Sequence, residues 1–157
     1  MNNYWIYEYP VGAVGIAADG SSVTHVFFTD GAGKDIPKGY QQGETPLIKK
    51  AAKQLTEYFA GKRREFDLPL DFKGTDFQKK VWAALLTIPY GETRSYGEIA
   101  AQIGNPKAPR AVGMANNRNP IGIICPCHRV IGADGSLVGY GGGLPTKEFL
   151  LKLEGKI

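Results

Sequence analysis

Residues 124–130, with the sequence Ile-Cys-Pro-Cys-His-Arg-Val, combine a thiol with groups that favour its ionisation. A cysteine reacts as its thiolate, and a neighbouring imidazole together with a positive charge makes that form accessible at neutral pH. Cys127 lies directly before His128 and Arg129, in a stretch that is otherwise mostly apolar. The segment therefore predicts a nucleophilic cysteine in an apolar wall, suited to attack on a carbon atom away from water.

Other interpretations of the same residues stay open on residue type alone. Structural cysteines are common in protein cores, and adjacency in the sequence does not place His128 on the sulfur. A zinc site would need all four cysteine and histidine residues of the chain, and their spacing does not fit one. A redox pair of Cys125 and Cys127 lacks the Cys-x-x-Cys spacing. A cysteine hydrolase needs a third residue to orient the imidazole, for which Asn119 or Glu154 is a candidate.

The composition indicates a globular chain with a basic second half. Hydrophobic residues make up 43% and charged residues 22% of the 157 residues, which excludes wholesale disorder and leaves room for one domain or two small ones. Residues 1–70 carry 8 basic and 8 acidic side chains, whereas residues 71–157 carry 11 and 7. This imbalance points either to an anionic partner such as nucleic acid or to a solvated basic surface. Between 94 and 129 the single acid is Glu98, and the basic residues are Arg94, Lys107, Arg110, Arg118 and Arg129.

Targeting signals and cofactor motifs are not evident in the sequence. No apolar run approaches the ~18 residues of a membrane span, and the first residues lack the basic and apolar regions of a secretion signal. Two cysteines are too few for a disulfide scaffold and fit a reducing compartment. No glycine-rich phosphate-binding motif follows a predicted strand. We therefore expect a cytoplasmic protein that needs neither a cofactor nor a metal.

The elements that position the cysteine segment fall into two predicted domains, 1–70 and 71–157. In the first, runs of β-branched and aromatic residues predict a small antiparallel sheet within 4–29, followed by a loop over 30–43. Thr45 then begins a helix that glycine ends. This first domain is predicted to be α+β, within the broader α/β class, with one main helix, and we interpret it as a scaffold.

The second domain is predicted to be mostly helical. Thr75 and Ser95 are each followed three residues later by Gln or Glu, the capping-box pattern of a helix start. Pro109 opens another short helix after a tight glycine-containing turn, and the two short helices resemble a helix-turn-helix. A last helix is predicted over about 145–154. Such corners also occur in proteins that do not bind DNA, but together with the local charge this one favours DNA binding.

The chain resembles the O6-alkylguanine-DNA alkyltransferases, also called methylated-DNA–protein-cysteine methyltransferases. The Pro-Cys-His-Arg-Val signature at 126–130 carries the resemblance, and further segments match in order and spacing. They are 74–77, 95–100, 109–113, 118–120, 142–144 and 150–155. Residues 1–70 match only in their general pattern of elements. The resemblance implies a ribonuclease-H-like first domain and a winged helix-turn-helix in the second. Cys125 departs from the aliphatic residue common in the family, and we interpret its thiol as a packed bystander.

The family resemblance implies DNA repair in a single, irreversible turnover. The alkyl group of O6-alkylguanine, and more weakly that of O4-alkylthymine, would move to Cys127 after the damaged nucleotide is flipped out of the duplex. The implied partner is double-stranded DNA, bound by a monomer through the minor groove with little sequence preference. Two other functions fit the sequence less well. One is a module that binds lesions without reacting, but such proteins lack the acceptor cysteine, which is present here as Cys127. The other is a sequence-specific regulator, but a regulator usually needs an additional sensing or dimerising part, for which 157 residues leave little room.

The resemblance also implies roles for individual residues. His128 would act through a water as the base, Glu154 would orient it, and Asn119 would brace the cysteine segment. Tyr96 would donate a hydrogen bond to the departing guanine, and Arg110 would occupy the place of the extruded nucleotide. The other implied DNA contacts are Ser95, Tyr96, Ala111, Gly113, Asn116 and Arg129. The implied substrate pocket consists of Tyr96, Val130, Gly139, Tyr140, Gly141 and Gly142.

Overall fold

The computed structural model describes all residues from Met1 to Ile157 and divides them into two compact units. The first unit comprises Met1–Phe72 and Pro120–Ile124, and the second comprises Lys73–Asn119 and Cys125–Ile157. The sequence predicts one boundary near residue 70, but it does not predict that the short Pro120–Ile124 segment groups with the first unit. None of the helices is both long and apolar enough to cross a bilayer.

The first unit contains a four-stranded sheet and one long helix. Its strands are β1 (Asn3–Tyr9), β2 (Gly12–Ala18), β3 (Val23–Phe28) and β4 (Gln41–Gln42), in the order β3-β2-β1-β4. The three long strands are antiparallel as predicted, whereas β4 lies in the predicted loop and pairs in parallel with β1. The sheet is therefore mixed. The sequence pattern missed β4 because two exposed glutamines carry no alternation of apolar and polar residues.

Helix α1 (Pro46–Phe59) and strand β2 form the core of this unit. Thr45 caps the helix by accepting a hydrogen bond from the amide of Ile48 at 3.4 Å. The apolar face of α1 is fully buried at Ile48 and Leu55, as is Ile16 on β2. Burial of side chains of this size contributes about 1.5–3 kcal/mol each, so this interface is a main source of stability for the first unit.

The Pro120–Ile124 segment is tied to the edge of the same sheet. The amide of Val26 donates to the Pro120 carbonyl, and the amide of Gly122 donates to the Val26 carbonyl, both at 2.9 Å. Ile123 is buried with φ of 66°, a left-handed conformation that is uncommon for a β-branched residue. The residues that precede the predicted nucleophile are thus held in one conformation by strand β3.

The second unit is mostly helical and begins its helices where the capping patterns predict. Its elements are α2 (Asp76–Leu85), β5 (Arg94–Ser95), α3 (Tyr96–Gln102), α4 (Pro109–Asn117), β6 (Val130–Ile131) and α5 (Leu144–Leu153), with a turn of 3-10 helix at Cys127–Arg129. Both capping boxes form: Thr75 with Gln78, and Ser95 with Glu98. Strands β5 and β6 pair in parallel, which the sequence did not predict because each contains only two residues.

A substitution at Thr75 tests the contribution of a capping box to stability. The Thr75 hydroxyl accepts the Gln78 amide at 3.1 Å, so Thr75→Ala leaves a helix amide without its partner. We expect the free energy of unfolding to fall by about 1 kcal/mol in urea denaturation. Thr93→Ala is the matched control, because the half-buried Thr93 side chain forms no hydrogen bond, and equal losses in the two variants would contradict the capping role.

Candidate active site

The turn of 3-10 helix at Cys127–Arg129 places the predicted nucleophile in the interior of the second unit. Cys127 is 7% exposed. Its amide donates to the Cys125 carbonyl at 2.8 Å, and its own carbonyl accepts from Asn116 Nδ2 at 3.3 Å. Asn119 Nδ2 donates to the Cys125 carbonyl at 2.8 Å. Two asparagine side chains therefore hold the backbone on either side of the thiol.

Glu154 joins the two residues that follow the cysteine. His128 Nε2 lies 2.7 Å from Glu154 Oε2, and Arg129 binds both carboxylate oxygens, through Nε at 2.7 Å and Nη2 at 3.0 Å. Arg129 Nη1 donates to the Ile88 carbonyl at 2.7 Å. The Glu154 and His128 side chains are fully buried, so this charge network is shielded from solvent. His128 Nδ1 is buried and has no hydrogen-bond partner in the protein.

The charges in this network decide the protonation state of the histidine. Burial alone raises the pKa of Glu154, but hydrogen bonds and charges from His128 and Arg129 outweigh it and lower the pKa to about 2. Burial lowers the pKa of His128, even though Glu154 opposes the shift. A neutral His128 with its proton on Nε2 can donate to Glu154, which leaves the lone pair on Nδ1. The site thus holds a histidine in the tautomer that can accept a proton at Nδ1.

The environment of Cys127 favours the neutral thiol at rest. Burial raises its pKa, and this effect exceeds the opposing hydrogen bonds from Asn119, its own backbone and Tyr140 and the charge of Lys147. A thiol of this kind needs a base at the moment of reaction. The resting cysteine is therefore a buried thiol that reacts only once its proton is removed.

The loop before α5 contains glycines at 139 and 141–143, so it has little side-chain bulk beside Tyr96. The Tyr96 hydroxyl donates to the Val138 carbonyl at 2.9 Å. Gly139 has φ of 57°, and a Cβ atom there would lie 3.6 Å from the Tyr96 hydroxyl. Of the predicted pocket residues, Gly139 and Gly141 are exposed, whereas the Val130 side chain is fully buried and belongs to the core. The half-buried pocket residues are Tyr96, Tyr140 and Gly142.

The predicted DNA-binding set contains two residues that the structure places in the interior. Asn116 is 1% exposed and holds the Cys127 carbonyl, and Arg129 is 6% exposed and pairs with Glu154. Neither side chain is available to DNA, so both assignments are corrected. The sequence alone could not show that these two side chains are buried, because an arginine or asparagine is the same residue type whether it is buried or exposed. Of the rest, Arg110 and Ala111 are exposed, and Ser95 and Gly113 are half-buried.

The basic stretch between 94 and 129 presents fewer free charges than the sequence count suggests. Arg94 pairs with Glu92 at 3.2 Å, and the charge of Arg129 is used internally. The exposed basic residues without an ion pair are Lys107, Arg110 and Arg118, all on or next to α4. The cationic surface is therefore concentrated around α4.

Cys125 is packed as expected, whereas Met114 and Lys147 lie in environments that the sequence did not indicate. Cys125 is fully buried and its Sγ donates to the Trp82 carbonyl at 3.6 Å, the environment of a packed thiol. Met114 is 63% exposed beside Arg110 on α4. Lys147 is fully buried in α5, and its place between apolar residues three and four positions away was the signal that could have revealed it. No group of three or more His, Cys, Asp and Glu residues is arranged to hold a metal ion.

Substitution of Glu154 tests the buried charge network. Glu154→Gln leaves the Arg129 guanidinium buried without its counter-charge, so we expect the free energy of unfolding at pH 7 to fall by about 3 kcal/mol or more. Glu148→Gln, which breaks an exposed pair with Lys152, is the control and should cost roughly 0.5 kcal/mol or less. Similar effects in the two variants would contradict the network.

The same network predicts a pH dependence. The pKa of Glu154 is about 2, below its ordinary value of 4.5, so its stabilising contribution is complete above pH 4.5 and is lost as the pH falls towards 2. The difference in unfolding free energy between the wild type and Glu154→Gln should therefore narrow across that range in acid titrations. A constant difference would show that Glu154 does not titrate as the network requires.

Comparison with known families accounts for both units. Residues 76–156 match the family described as "6-O-methylguanine DNA methyltransferase, DNA binding domain", and residues 2–72 match "6-O-methylguanine DNA methyltransferase, ribonuclease-like domain". The methylated-DNA–protein-cysteine methyltransferase of Methanosarcina acetivorans is 56% identical over 153 residues, which are 97% of each chain.

Solved structures agree with these matches. The crystal structure of the Mycobacterium tuberculosis O6-methylguanine methyltransferase has a TM-score of 0.90 and 52% identity, covering 98% of this chain and 93% of that one. The structure of Mycobacterium tuberculosis OGT in complex with DNA has a TM-score of 0.89 and 52% identity, covering 97% and 92%. Both units are thus accounted for by one set of relatives, and the chain belongs to the 6-O-methylguanine DNA methyltransferase family.

Proposed function

We propose that this methylated-DNA–protein-cysteine methyltransferase moves the alkyl group from O6-alkylguanine in DNA to Sγ of Cys127, once per protein molecule. The observation that carries the proposal is the buried arrangement in which Cys127 precedes a histidine bound to Glu154 at 2.7 Å. Relatives more than 50% identical over most of the chain carry the name of this activity. O4-alkylthymine would react more weakly, as the family resemblance implies.

The proposed reaction is an in-line displacement at the alkyl carbon. His128 takes the thiol proton through a water, the Cys127 sulfur forms a bond to carbon, and the bond from that carbon to guanine O6 breaks with its electron pair moving onto the base. Tyr96 stabilises the charge that develops on the departing guanine by donating a hydrogen bond. To do so its hydroxyl must leave the Val138 carbonyl, which it binds at 2.9 Å.

The product explains why one molecule would act only once. The new bond is a thioether, and an alkyl thiolate is a poor leaving group from an sp³ carbon. His128 loses its function once the sulfur has no proton to give, and the amide nitrogens of Asn116 and Asn119 donate to backbone carbonyls. Regeneration would require a second displacement at the same carbon, for which the site supplies no nucleophile.

Burial of the acceptor is the reason to propose base flipping. Cys127 is 7% exposed, so it cannot approach an alkyl group that remains in the base stack. The damaged nucleotide must leave the duplex, at a cost of a few kcal/mol that is lower for a weakened pair. Arg110 lies at the exposed start of α4 and would fill the space the base vacates. The small residues Ala111 and Gly113 would let α4 lie close to the minor groove.

The proposed roles of the two domains follow from where the assigned residues lie in the chain. Every residue assigned to chemistry or DNA contact falls within 71–157, so we assign this domain alkyl acceptance and DNA binding, with α3 and α4 as a winged helix-turn-helix. The first domain, 1–70, would be a ribonuclease-H-like scaffold. Contacts to phosphates from Lys107 and Arg118 would bind duplex DNA of any sequence. The site is complete within one chain, so we propose that a monomer acts on DNA in the cytoplasm.

The identity of the acceptor can be tested by mass. An oligonucleotide containing O6-methylguanine should add one methyl group to the wild-type protein, and peptide mapping should place it on Cys127. Cys127→Ala should abolish the gain while retaining DNA binding. Cys125→Ala is the matched control, because its thiol is packed against the Trp82 carbonyl, and it should still accept one methyl group. No mass gain in a folded wild-type protein would refute the proposed function.

The role of Arg110 can be separated from the chemistry by changing the substrate. Arg110→Ala should slow repair of a methylated duplex by about tenfold or more, since it removes the side chain that replaces the extruded base, an effect on the order of 1.4 kcal/mol. Reaction with the free base O6-benzylguanine should be unchanged. Arg118→Ala, a second exposed arginine, is the control and should weaken duplex binding in a salt-dependent way. Equal losses on duplex and free base would contradict the role of Arg110.

A further inference from the structure

Met114 is a large apolar side chain at the centre of the exposed face of α4. The helix buries Val112, Ala115 and Asn116 on its opposite face. The exposed positions have the spacing of a single helix face and are Arg110, Ala111, Met114, Asn117 and Arg118. Met114 is 63% exposed at a position where an amphipathic helix ordinarily carries a polar residue. Most of this side chain lies in solvent, and the proposed reaction does not involve it.

The charges that flank Met114 point to an anionic partner. Arg110 and Arg118 lie four residues before and after it, one helical turn to either side, and both are exposed without an ion pair. No acidic residue occurs anywhere between Glu98 and Asp134. The face is therefore positively charged along its whole length and complementary to the phosphates of a nucleic acid.

A groove beside Met114 extends the apolar part of this face. Met114 lines the groove between α4 and the start of α2, together with Phe77, Ala111 and Ala115. An apolar surface between two cations matches the minor groove of duplex DNA, where sugars and base edges lie between two rows of phosphates. Proteins that bind this groove frequently insert apolar side chains, methionine among them. Charge and apolar shape thus favour the same partner.

We propose that Met114 is an apolar anchor that enters the minor groove of duplex DNA one helical turn from Arg110. This inference rests on the proposed function in taking DNA as the ligand of α4. Four residues of α-helix span about 6 Å, and successive nucleotides of one strand are about 3.4 Å apart along the duplex. With α4 lying along the groove, Met114 contacts sugars and base edges roughly two base-pair steps from the nucleotide that Arg110 replaces.

The chemistry of methionine suits a protein that must bind DNA of any sequence. Its side chain is unbranched and flexible, so it can adapt to grooves of different width. Its contact is apolar, so it stabilises the complex by removing surface from water and not by reading bases. Met114 therefore supplies affinity that is independent of salt, whereas exposed cations such as Arg118 supply affinity that salt weakens.

The first experiment measures the protection of Met114 by DNA in the wild-type protein. Hydrogen peroxide oxidises exposed methionine thioethers to sulfoxides, which peptide mass detects. The chain contains two methionines, and Met1, which is 83% exposed in the first unit, is the internal reference. Unmodified duplex at about 100 Kd should slow the oxidation of Met114 by about tenfold or more and leave Met1 unchanged, because almost all of the protein is then bound. Equal rates for Met114 with and without duplex would overturn the proposal.

The second experiment separates the apolar contact from the charges. Met114→Gln keeps the length of the side chain but makes it polar, so Kd for duplex should rise by about tenfold at every salt concentration. The slope of log Kd against log salt should be unchanged, whereas Arg118→Ala should reduce it by about one. Met114→Leu keeps the apolar bulk and should retain wild-type affinity.

Leu86→Gln is the matched control for this experiment. Leu86 is 45% exposed directly after α2 and lies outside the proposed DNA-binding face, so this variant should bind duplex as the wild type does. Wild-type affinity in Met114→Gln, or equal losses in Met114→Gln and Leu86→Gln, would contradict the anchor. Loss of affinity in Met114→Leu equal to that in Met114→Gln would also contradict it.

The anchor and the proposed function can fail separately. Methyl transfer to Cys127 with no protection of Met114 by duplex would support the function and reject the anchor. Protection of Met114 without any methyl transfer from an O6-methylguanine oligonucleotide would support the anchor and reject the function. Protection that grows with protein concentration in the absence of DNA would show that a second copy of the chain covers Met114, which would overturn the anchor.

Discussion

The buried carboxylate of Glu154 is the interaction on which the active site depends. A carboxylate in a protein interior is stable only if hydrogen bonds and an opposite charge replace its hydration. Arg129 supplies the charge through two hydrogen bonds, and His128 supplies the third contact. Because the arginine neutralises the carboxylate, the histidine stays neutral and its Nδ1 keeps a lone pair. The orientation of His128 and the stability of the second unit therefore both depend on the pairing of Glu154 with Arg129.

Burial of the cysteine gives the site both protection and selectivity. Desolvation raises the pKa of Cys127, so the resting thiol is weakly nucleophilic towards molecules that reach it by chance. In the proposed reaction, a substrate that fills the site brings the alkyl carbon to the sulfur, and Tyr96 is the one group that must change its hydrogen-bond partner. Asn116 and Asn119 fix the backbone on either side, so little reorganisation is needed at the moment of reaction. The same burial requires the substrate base to leave its helix.

The positively charged side chains of the second unit lie in different environments. Arg129 and Lys147 are both buried cations, but the first is matched with a carboxylate and the second lies among carbonyl oxygens. Arg129 therefore belongs to the charge network of Glu154, whereas Lys147 binds only backbone carbonyls. At the surface, Arg110 is exposed and unpaired on α4, where a charge can meet DNA without loss of an internal contact. Position in the fold, and not residue type, assigns each cation its role.

Local patterns in the sequence were enough to predict the helix starts, because a capping box such as that of Thr75 depends on residues three apart. The Pro-Cys-His-Arg-Val signature similarly identified Cys127 and His128 as candidates from residue type and spacing alone. Tertiary structure alone decided that Arg129 and Asn116 point inwards, that Lys147 is buried, and that Pro120–Ile124 pairs with a strand almost a hundred residues earlier. These outcomes depend on contacts between residues far apart in the chain, and the desolvation and charge pairing that such contacts create cannot be inferred from residue type or spacing.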